Sequence, residues 1–151
     1  MAIPAGADGA PMWPPGYVGS ITHCQGLVAA CAARASDVLA IGIDAEPVGG
    51  LEDDVAAIVL TPFERAATAR SADPDLWTLL QFSAKESVFK AWSRLSPGWL
   101  DFADVTLRID AGGTFRWLAP KWPGDAPLAR GLWSVGPTHV TAFLDLVPGS
   151  R

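Results

Sequence analysis

The sequence predicts an α+β fold in which an antiparallel sheet packs against one long helix and several shorter helices. Residues 77–95, WTLLQFSAKESVFKAWSRL, repeat apolar side chains at a helical period and end before a Ser-Pro-Gly sequence that cannot continue a helix. Residues 38–44, VLAIGID, form an apolar run typical of a buried strand. Beyond the long helix the apolar period changes to two, which indicates strands joined in hairpins.

The first part of the chain is predicted to form a lead-in followed by two strands. Residues 1–16 are rich in Pro, Gly and Ala and show neither a helical nor a strand period, so we expect an extended segment. Residues 17–24, YVGSITHC, alternate as a short strand that ends in a polar turn. Residues 27–34, LVAACAAR, are ambiguous because the alanines favour a helix, whereas the short length favours a hairpin partner. We predict a strand there.

Local start signals predict three helices in the middle of the chain. Acids at 52–54 open a short helix to residue 60, because the helix dipole favours negative charge in the first turn. Thr61-Pro62-Phe63-Glu64 matches a capping box with proline at the first helical position, and predicts a helix to about residue 70. An Asp-Pro pair at 73–74 begins the long helix. Strands are then predicted at 105–109, 114–118, 131–135 and 139–146.

The composition favours a single globular domain and excludes several classes of protein. The chain has 151 residues, half of them hydrophobic, and a net charge of -5, so it has no overall basic field that would attract nucleic acid. No apolar run approaches the roughly 20 residues of a membrane span. Because Cys24 and Cys31 lack metal-ligand spacing, we expect them to be reduced core residues of a cytoplasmic protein.

Three acids and two lysines are the residues most suited to chemistry. Asp44 is the polar end of the predicted buried strand and Glu46 comes just after it, and the two alternate onto one side of an extended chain. On the long helix Glu86 and Lys90 are four residues apart, and with Lys85 they are expected to form one row of charge. Magnesium is commonly held by a few carboxylates together with water and substrate phosphate. The alternative, that these acids only cap a strand and face solvent, is equally consistent with the spacing.

Each of the two lysines, and also His23, can be interpreted as a structural or as a functional residue. Lys85 and Lys90 can form ordinary salt bridges worth under ~1 kcal/mol, or they can neutralise a phosphate ester and stabilise its leaving oxygen. His23, in the polar turn after a strand, is more often a hydrogen-bonded structural residue than a ligand. His139 is assigned no function.

Three blocks in this order resemble the 4'-phosphopantetheinyl transferases. The resemblance is to the larger, pseudo-dimeric type, which activates siderophore, polyketide and nonribosomal peptide synthetases. It extends from about residue 13 to residue 110, and its third block is the most specific. The blocks are Gly19-Ser-Ile-Thr-His23, Ile41-Gly-Ile-Asp-Ala-Glu46 and Phe82-Ser-Ala-Lys-Glu-Ser-Val-Phe-Lys90.

The resemblance implies a reaction and a metal. The phosphopantetheine arm of coenzyme A would be transferred to a serine of an apo acyl carrier or peptidyl carrier protein, with release of adenosine 3',5'-bisphosphate. Asp44, Glu46 and Glu86 would hold Mg²⁺ bound to the coenzyme A pyrophosphate. Glu86, or a water that it orients, would be the base for the carrier serine.

The resemblance also implies roles for residues that bind coenzyme A. Lys90 would stabilise charge on the transferred phosphate and the leaving group, and Lys85 would hold another phosphate. Thr22 and His23 would lie near the adenosine and the 3'-phosphate. Exposed residues between 51 and 63 are expected to contact the carrier protein.

The short N-terminal part is where the sequence departs from the larger type. Members of that type usually carry a substantial lobe before the first block, whereas 18 residues precede Gly19 here. We interpret residues 1–16 as a lead-in, 17–36 as a remnant of the first lobe and 37–151 as the second lobe. Uncovered apolar surface predicts a homo-oligomer. The alternative function is a coenzyme A-binding or interaction module without catalysis, although retention of three mutually repelling acids favours the transferase.

Overall fold

The computed structural model describes residues 3–6, 9–49, 51–96, 98–118 and 127–149. These residues confirm the predicted α+β class. In chain order they form β1 (Tyr17–Cys24), β2 (Leu27–Arg34), β3 (Ala40–Pro47), α1 (Asp53–Val59), α2 (Pro62–Thr68), α3 (Pro74–Trp92), a 3₁₀ turn (Phe102–Asp104), β4 (Thr106–Asp110), β5 (Thr114–Leu118), β6 (Leu128–Val135) and β7 (His139–Val147). No helix in these ranges is both long and apolar enough to cross a membrane.

The strands form two antiparallel sheets. One is the β1–β2 hairpin, and the other has five strands in the order β3-β7-β6-β5-β4. The hairpin lies beside β3, and the side-chain oxygen of Ser20 accepts a hydrogen bond of 3.1 Å from the backbone N–H of Ile43. Side chains rather than a backbone ladder therefore join the hairpin to the larger sheet.

The main core lies between α3 and one face of the five-stranded sheet. It is formed by Ala40, Ala84, Val88, Ala91, Trp92, Val105, Leu107, Phe115, Trp117, Ala142, Leu144 and Leu146. Gly42 marks the closest approach, because a Cβ atom there would lie 1.7 Å from the carbonyl oxygen of Ser87. Only glycine lets the helix backbone lie this close to β3.

The predicted boundaries of β3 and α3 were shifted. The strand begins at Ala40 and runs through Pro47, so Glu46 lies within it instead of following it. Pairing with β7 continues to the end of β3, which keeps both acidic residues extended. The capping box that begins α2 is confirmed, whereas α3 ends at Trp92, a few residues earlier than predicted.

The cysteines were wrongly predicted to be core residues. Cys24 and Cys31 are free thiols, and both are only partly buried on the hairpin. The reason is that the two-stranded sheet is covered less completely than the five-stranded one, and most β2 residues keep some exposure. Within the described lead-in, Trp13 packs against Gly19, where a Cβ atom would lie 2.5 Å from the indole ring.

Candidate active site

Strand β3 and helix α3 bring four of the predicted residues together. Asp44 is only 3% exposed, and its Oδ1 accepts a hydrogen bond of 2.8 Å from the ammonium group of Lys90. Lys90 also donates to the carbonyl oxygen of Ile43 at 3.0 Å. Glu86 lies one turn before Lys90, and Glu46 lies two residues after Asp44, on the same side of the strand. The close contact of β3 with α3 fixes these elements relative to each other.

The pKa values of Glu46 and Glu86 are both raised in the folded chain. Burial is the largest cause of the raised pKa of Glu46, and the charges of Asp44 and Glu86 raise it further, while Lys90 lowers it. Burial also raises the pKa of Glu86, with Asp44 adding to the effect and Lys90 opposing it. One lysine therefore does not compensate three carboxylates, and an additional cation would relieve their repulsion.

The hairpin contributes Thr22 to this site. Its hydroxyl donates to Oδ1 of Asp44 at 3.3 Å, and the threonine is buried. His23 is exposed, because neighbouring side chains on a strand point to opposite sides. The structure therefore places Thr22, but not His23, in contact with the acids.

A hard divalent cation fits the donor set of this site. Oδ2 of Asp44 is buried and has no hydrogen-bond partner in the part of the chain that the structure describes, although Oδ1 of the same carboxylate accepts two hydrogen bonds. Glu46 and Glu86 are partly exposed and supply further carboxylate oxygens, which are the ligands that Mg²⁺ prefers. Across the described residues, no three His, Cys, Asp or Glu side chains already stand in a metal-binding arrangement. The fit rests on the unpartnered oxygen and on the uncompensated charge.

Lys85 does not lie with the other predicted residues. Its side chain is 0% exposed, and its ammonium group contacts Oε2 of Glu64 at 2.7 Å. The same group donates to the carbonyl oxygens of Val59 at 2.7 Å and Phe102 at 2.9 Å, which accounts for its three protons. Burial lowers the pKa of Lys85, and Glu64 opposes that shift. This geometry conflicts with the expected role of Lys85 in holding a phosphate.

Helix geometry and a buried partner explain why the side chain of Lys85 does not lie in one row with Glu86 and Lys90. Successive residues on a helix are about 100° apart, so Lys85 and Glu86 point in different directions. The buried partner, Glu64, also accepts hydrogen bonds of 2.7 Å from the backbone N–H groups of Thr61 and Leu107. The capping box identified Glu64 as a helix-start residue, but no local signal indicated its ion pair with α3.

His139 is a second residue whose role the sequence did not reveal. Its Nε2 lies 2.8 Å from the carbonyl oxygen of Gln25, in the turn of the β1–β2 hairpin, and its Nδ1 lies 2.9 Å from the hydroxyl of Thr138. A neutral ring with its proton on Nε2 donates to Gln25 and accepts from Thr138. His139 thus ties the hairpin tip to the start of β7.

A cavity of about 410 Å³ opens beside Glu86. It is lined mainly by apolar side chains, including Phe89, Trp92, Leu100 and Phe102. This volume lies in the range of small-molecule sites. The acids therefore border a space that can take the apolar part of a ligand.

Sequence comparison shows the family. Residues 40–134 match the 4'-phosphopantetheinyl transferase superfamily, and residues 1–33 match the 4'-phosphopantetheinyl transferase N-terminal domain. The 4'-phosphopantetheinyl transferase Svp of Streptomyces mobaraensis is 54% identical over 114 residues, which cover 73% of this chain and 46% of Svp. The 4'-phosphopantetheinyl transferase PptT of Mycobacterium tuberculosis is 38% identical over 141 residues, covering 86% of this chain and 62% of PptT.

The chain therefore belongs to the 4'-phosphopantetheinyl transferase superfamily, and these relatives support the larger type. It spans about half the length of the curated relatives it matches. The fold is shared with holo-[acyl-carrier-protein] synthase of Thermotoga maritima, with a TM-score of 0.63, 21% identity and coverage of 74% of this chain and 65% of the other. A synthase of Bacillus anthracis in complex with CoA (3',5'-ADP) has a TM-score of 0.59 at 21% identity, over 75% and 99% of the two chains.

Proposed function

We propose that this chain transfers the 4'-phosphopantetheine arm of coenzyme A to a serine of an apo acyl carrier or peptidyl carrier protein. The observation that carries the proposal is the contact of Lys90 with Asp44, with Glu46 and Glu86 beside it. Acids that can hold a cation and a lysine that can bind phosphate meet at one place. The names of the related transferases support the same reaction.

The proposed cation is Mg²⁺, held by Asp44, Glu46 and Glu86. Bound there, it would neutralise the pyrophosphate of coenzyme A and stabilise the charge that develops during transfer. The buried Oδ2 of Asp44 supports this assignment, because no group among the described residues donates a hydrogen bond to that atom.

Glu86 is the proposed base for the carrier serine. The pKa of Glu86 is raised, so its carboxylate is a better proton acceptor than an ordinary glutamate. Glu86, directly or through one water, takes the proton of the serine hydroxyl as that oxygen bonds to the phosphorus nearest the pantetheine. The bond from this phosphorus to the bridging oxygen breaks, and the electron pair leaves on adenosine 3',5'-bisphosphate.

Lys90 is the proposed hydrogen-bond donor to the transferred phosphate. Two of its three ammonium protons are directed at Asp44 and at the carbonyl of Ile43, and its side chain remains partly exposed. The third proton can be donated to a phosphate oxygen, where charge grows as the bond breaks. We leave Lys85 out of this proposal because its protons are already accepted within the core.

The rest of coenzyme A would lie on either side of the acids. Thr22 holds the hairpin against Asp44, and the exposed His23 next to it is the proposed contact for the adenosine and the 3'-phosphate. The apolar cavity beside Glu86 has room for the pantetheine arm. Ile58 and Phe63 are exposed apolar residues of the proposed carrier-binding surface.

We also propose that the chain acts in the cytoplasm and associates with itself. Free cysteines agree with a reducing compartment. Leu128 and Leu132 on β6 are about half exposed, and a second copy would cover them. A monomeric mass by light scattering at micromolar concentration would remove the proposal of self-association.

Intact-mass spectrometry tests the transfer directly. An apo carrier protein is incubated with this chain and coenzyme A, once with magnesium and once with excess chelator. A magnesium-dependent gain of one phosphopantetheine arm is expected. No gain on several carriers, with coenzyme A binding still measurable by calorimetry, would instead support the alternative of a binding module without catalysis.

A further inference from the structure

A second cavity, of about 370 Å³, lies between α2, the first half of α3 and β4. None of the four residues grouped at the candidate active site lines it. The side chains around it are unusually mixed, with two arginines, two aromatic rings and two buried polar groups. The lining residues that matter for ligand binding are Phe63, Thr68, Arg70, Trp77, Gln81 and Arg108.

Two residues in the wall of this cavity each carry a polar atom that has no hydrogen-bond partner among the described residues. Thr68 is 5% exposed and Gln81 is 3% exposed. Within the described residues, neither the hydroxyl oxygen of Thr68 nor Oε1 of Gln81 makes a hydrogen bond. A buried polar atom without a partner is unfavourable, and the large majority of such atoms in native proteins are satisfied. Because both residues line the cavity, a ligand that carries a hydrogen-bond donor can supply the missing contact.

The same cavity has positive charge and apolar walls. Arg70 is exposed and makes no ion pair with any residue that the structure describes, and Arg108 approaches Asp110 only at 3.8 Å. Guanidinium groups bind carboxylates and phosphates well because their donors are arranged as a planar fork. Phe63 and Trp77 provide ring surface for an apolar body. The cavity thus combines positively charged side chains, aromatic ring surface and hydrogen-bond acceptors.

We propose that this cavity binds a small aromatic anion whose ring carries a hydrogen-bond donor away from its charged group. The anionic group contacts Arg70 and Arg108, the ring packs against Phe63 and Trp77, and the donor reaches Oε1 of Gln81. Apart from Phe63, which also belongs to the proposed carrier-binding surface, this site shares no residue with the proposed transfer machinery and does not depend on it.

A ligand in this cavity is expected to stabilise the folded state, because the cavity lies between α2 and α3. Thr68 lies one turn after Glu64 on α2, and Gln81 lies one turn before Lys85 on α3. A molecule that contacts both elements links them next to the buried Glu64–Lys85 ion pair. Because a ligand of the folded state stabilises that state, binding raises the unfolding temperature.

Titration with 4-hydroxybenzoate tests the proposal. Amide signals of Thr68 and Ser71 and the indole signal of Trp77 are followed by NMR as the probe is added at millimolar concentration. Two matched probes each lack one feature: benzoate has no hydroxyl donor, and 4-hydroxybenzamide has no charge. We expect each to bind about tenfold more weakly than 4-hydroxybenzoate, since a hydrogen bond to a charged or buried group is lost.

Variants locate the site independently. The double variant Arg70→Gln/Arg108→Gln should reduce affinity for 4-hydroxybenzoate by about tenfold or more, whereas Arg94→Gln, at an exposed arginine outside the cavity, should leave it unchanged. Both variants change surface residues, and the probe series on the unmodified chain is informative even if one fails to fold. Absence of shifts at Thr68, Ser71 and Trp77 would overturn the proposal and indicate a water-filled cavity, and so would equal binding of the three probes.

Discussion

A methyl group on Gly42 would lie 1.7 Å from the carbonyl oxygen of Ser87, so β3 and α3 meet backbone against backbone. No side chain separates the two elements at this point. Asp44 is two residues along the strand from the contact, and Lys90 is three residues along the helix. The 2.8 Å contact between these two residues depends on that close approach.

Gly42→Ala should therefore weaken the fold and the site together. The backbone carbonyl cannot rotate away as a flexible side chain would, so we expect a loss of about 1–3 kcal/mol or more in the free energy of unfolding. Urea denaturation measures this change. Gly112→Ala is the matched control, because a Cβ atom at Gly112 meets nothing within 4 Å. Equal stability of the two variants would contradict the packing described here.

Lys85→Met should be strongly destabilising because it leaves Glu64 buried without its cation. Removing one member of a buried ion pair costs about 3–5 kcal/mol. The double variant Glu64→Gln/Lys85→Met should be more stable than Lys85→Met alone, since no buried charge remains. Thermal and urea unfolding of the two variants give the comparison. If the single variant folds as well as the unmodified chain and retains transfer, the ion pair is not structural.

Glu86→Gln should separate stability from function. The pKa of Glu86 is raised in the folded state, so the folded chain binds more protons than the unfolded chain from pH 4.5 upward to that raised pKa. The free energy of unfolding consequently falls as pH rises through this interval. Without added cation, the variant should show a smaller fall and higher stability at neutral pH, while losing transfer. Near-normal turnover would refute the proposed role of Glu86, and Asp75→Asn, at an exposed position outside residues 51–63, serves as the control.

Lys90→Ala should affect the rate more than the binding of coenzyme A. If its free proton acts mainly on the transition state, the single-turnover rate should fall by about 10²–10³, as when one preorganised donor is removed. Calorimetry gives the corresponding change in the Kd of coenzyme A, which we expect to be smaller. Equal losses in rate and affinity would make Lys90 a binding residue only.

His139→Leu should loosen the tip of the β1–β2 hairpin. The variant loses the hydrogen bond to the carbonyl of Gln25, which is worth about 0.5–1.5 kcal/mol. Faster hydrogen exchange is expected at the hairpin amides, with a larger effect on the KM for coenzyme A than on kcat. Thr138→Val, which removes only the partner of Nδ1, should have the smaller effect. Unchanged exchange in His139→Leu would show that the hairpin is held by other contacts.

The parts of the fold that local signals specify were predicted well. The capping box at Thr61 begins α2, and the glycine turn after Asp110 joins β4 to β5. The direction of Lys85, by contrast, depends on acceptors in α1, α2 and the 3₁₀ turn that are distant in sequence. His139 likewise acts on Gln25, at the other end of the chain. Sequence spacing identified the charged residues that are candidates for the site. Contacts between residues distant in sequence decide which of these side chains lie in it.

The pairing of β3 with β7 has a consequence for how the chain folds. Asp44 lies opposite Ala142 in that ladder, so the two strands close a loop that contains most of the remaining elements. Bringing together residues so far apart in sequence has an entropic cost of loop closure, so we expect this contact to form late in folding. During synthesis on a ribosome, the acids of β3 emerge long before their partner strand. The candidate site thus becomes ordered only when nearly the whole described chain has been made.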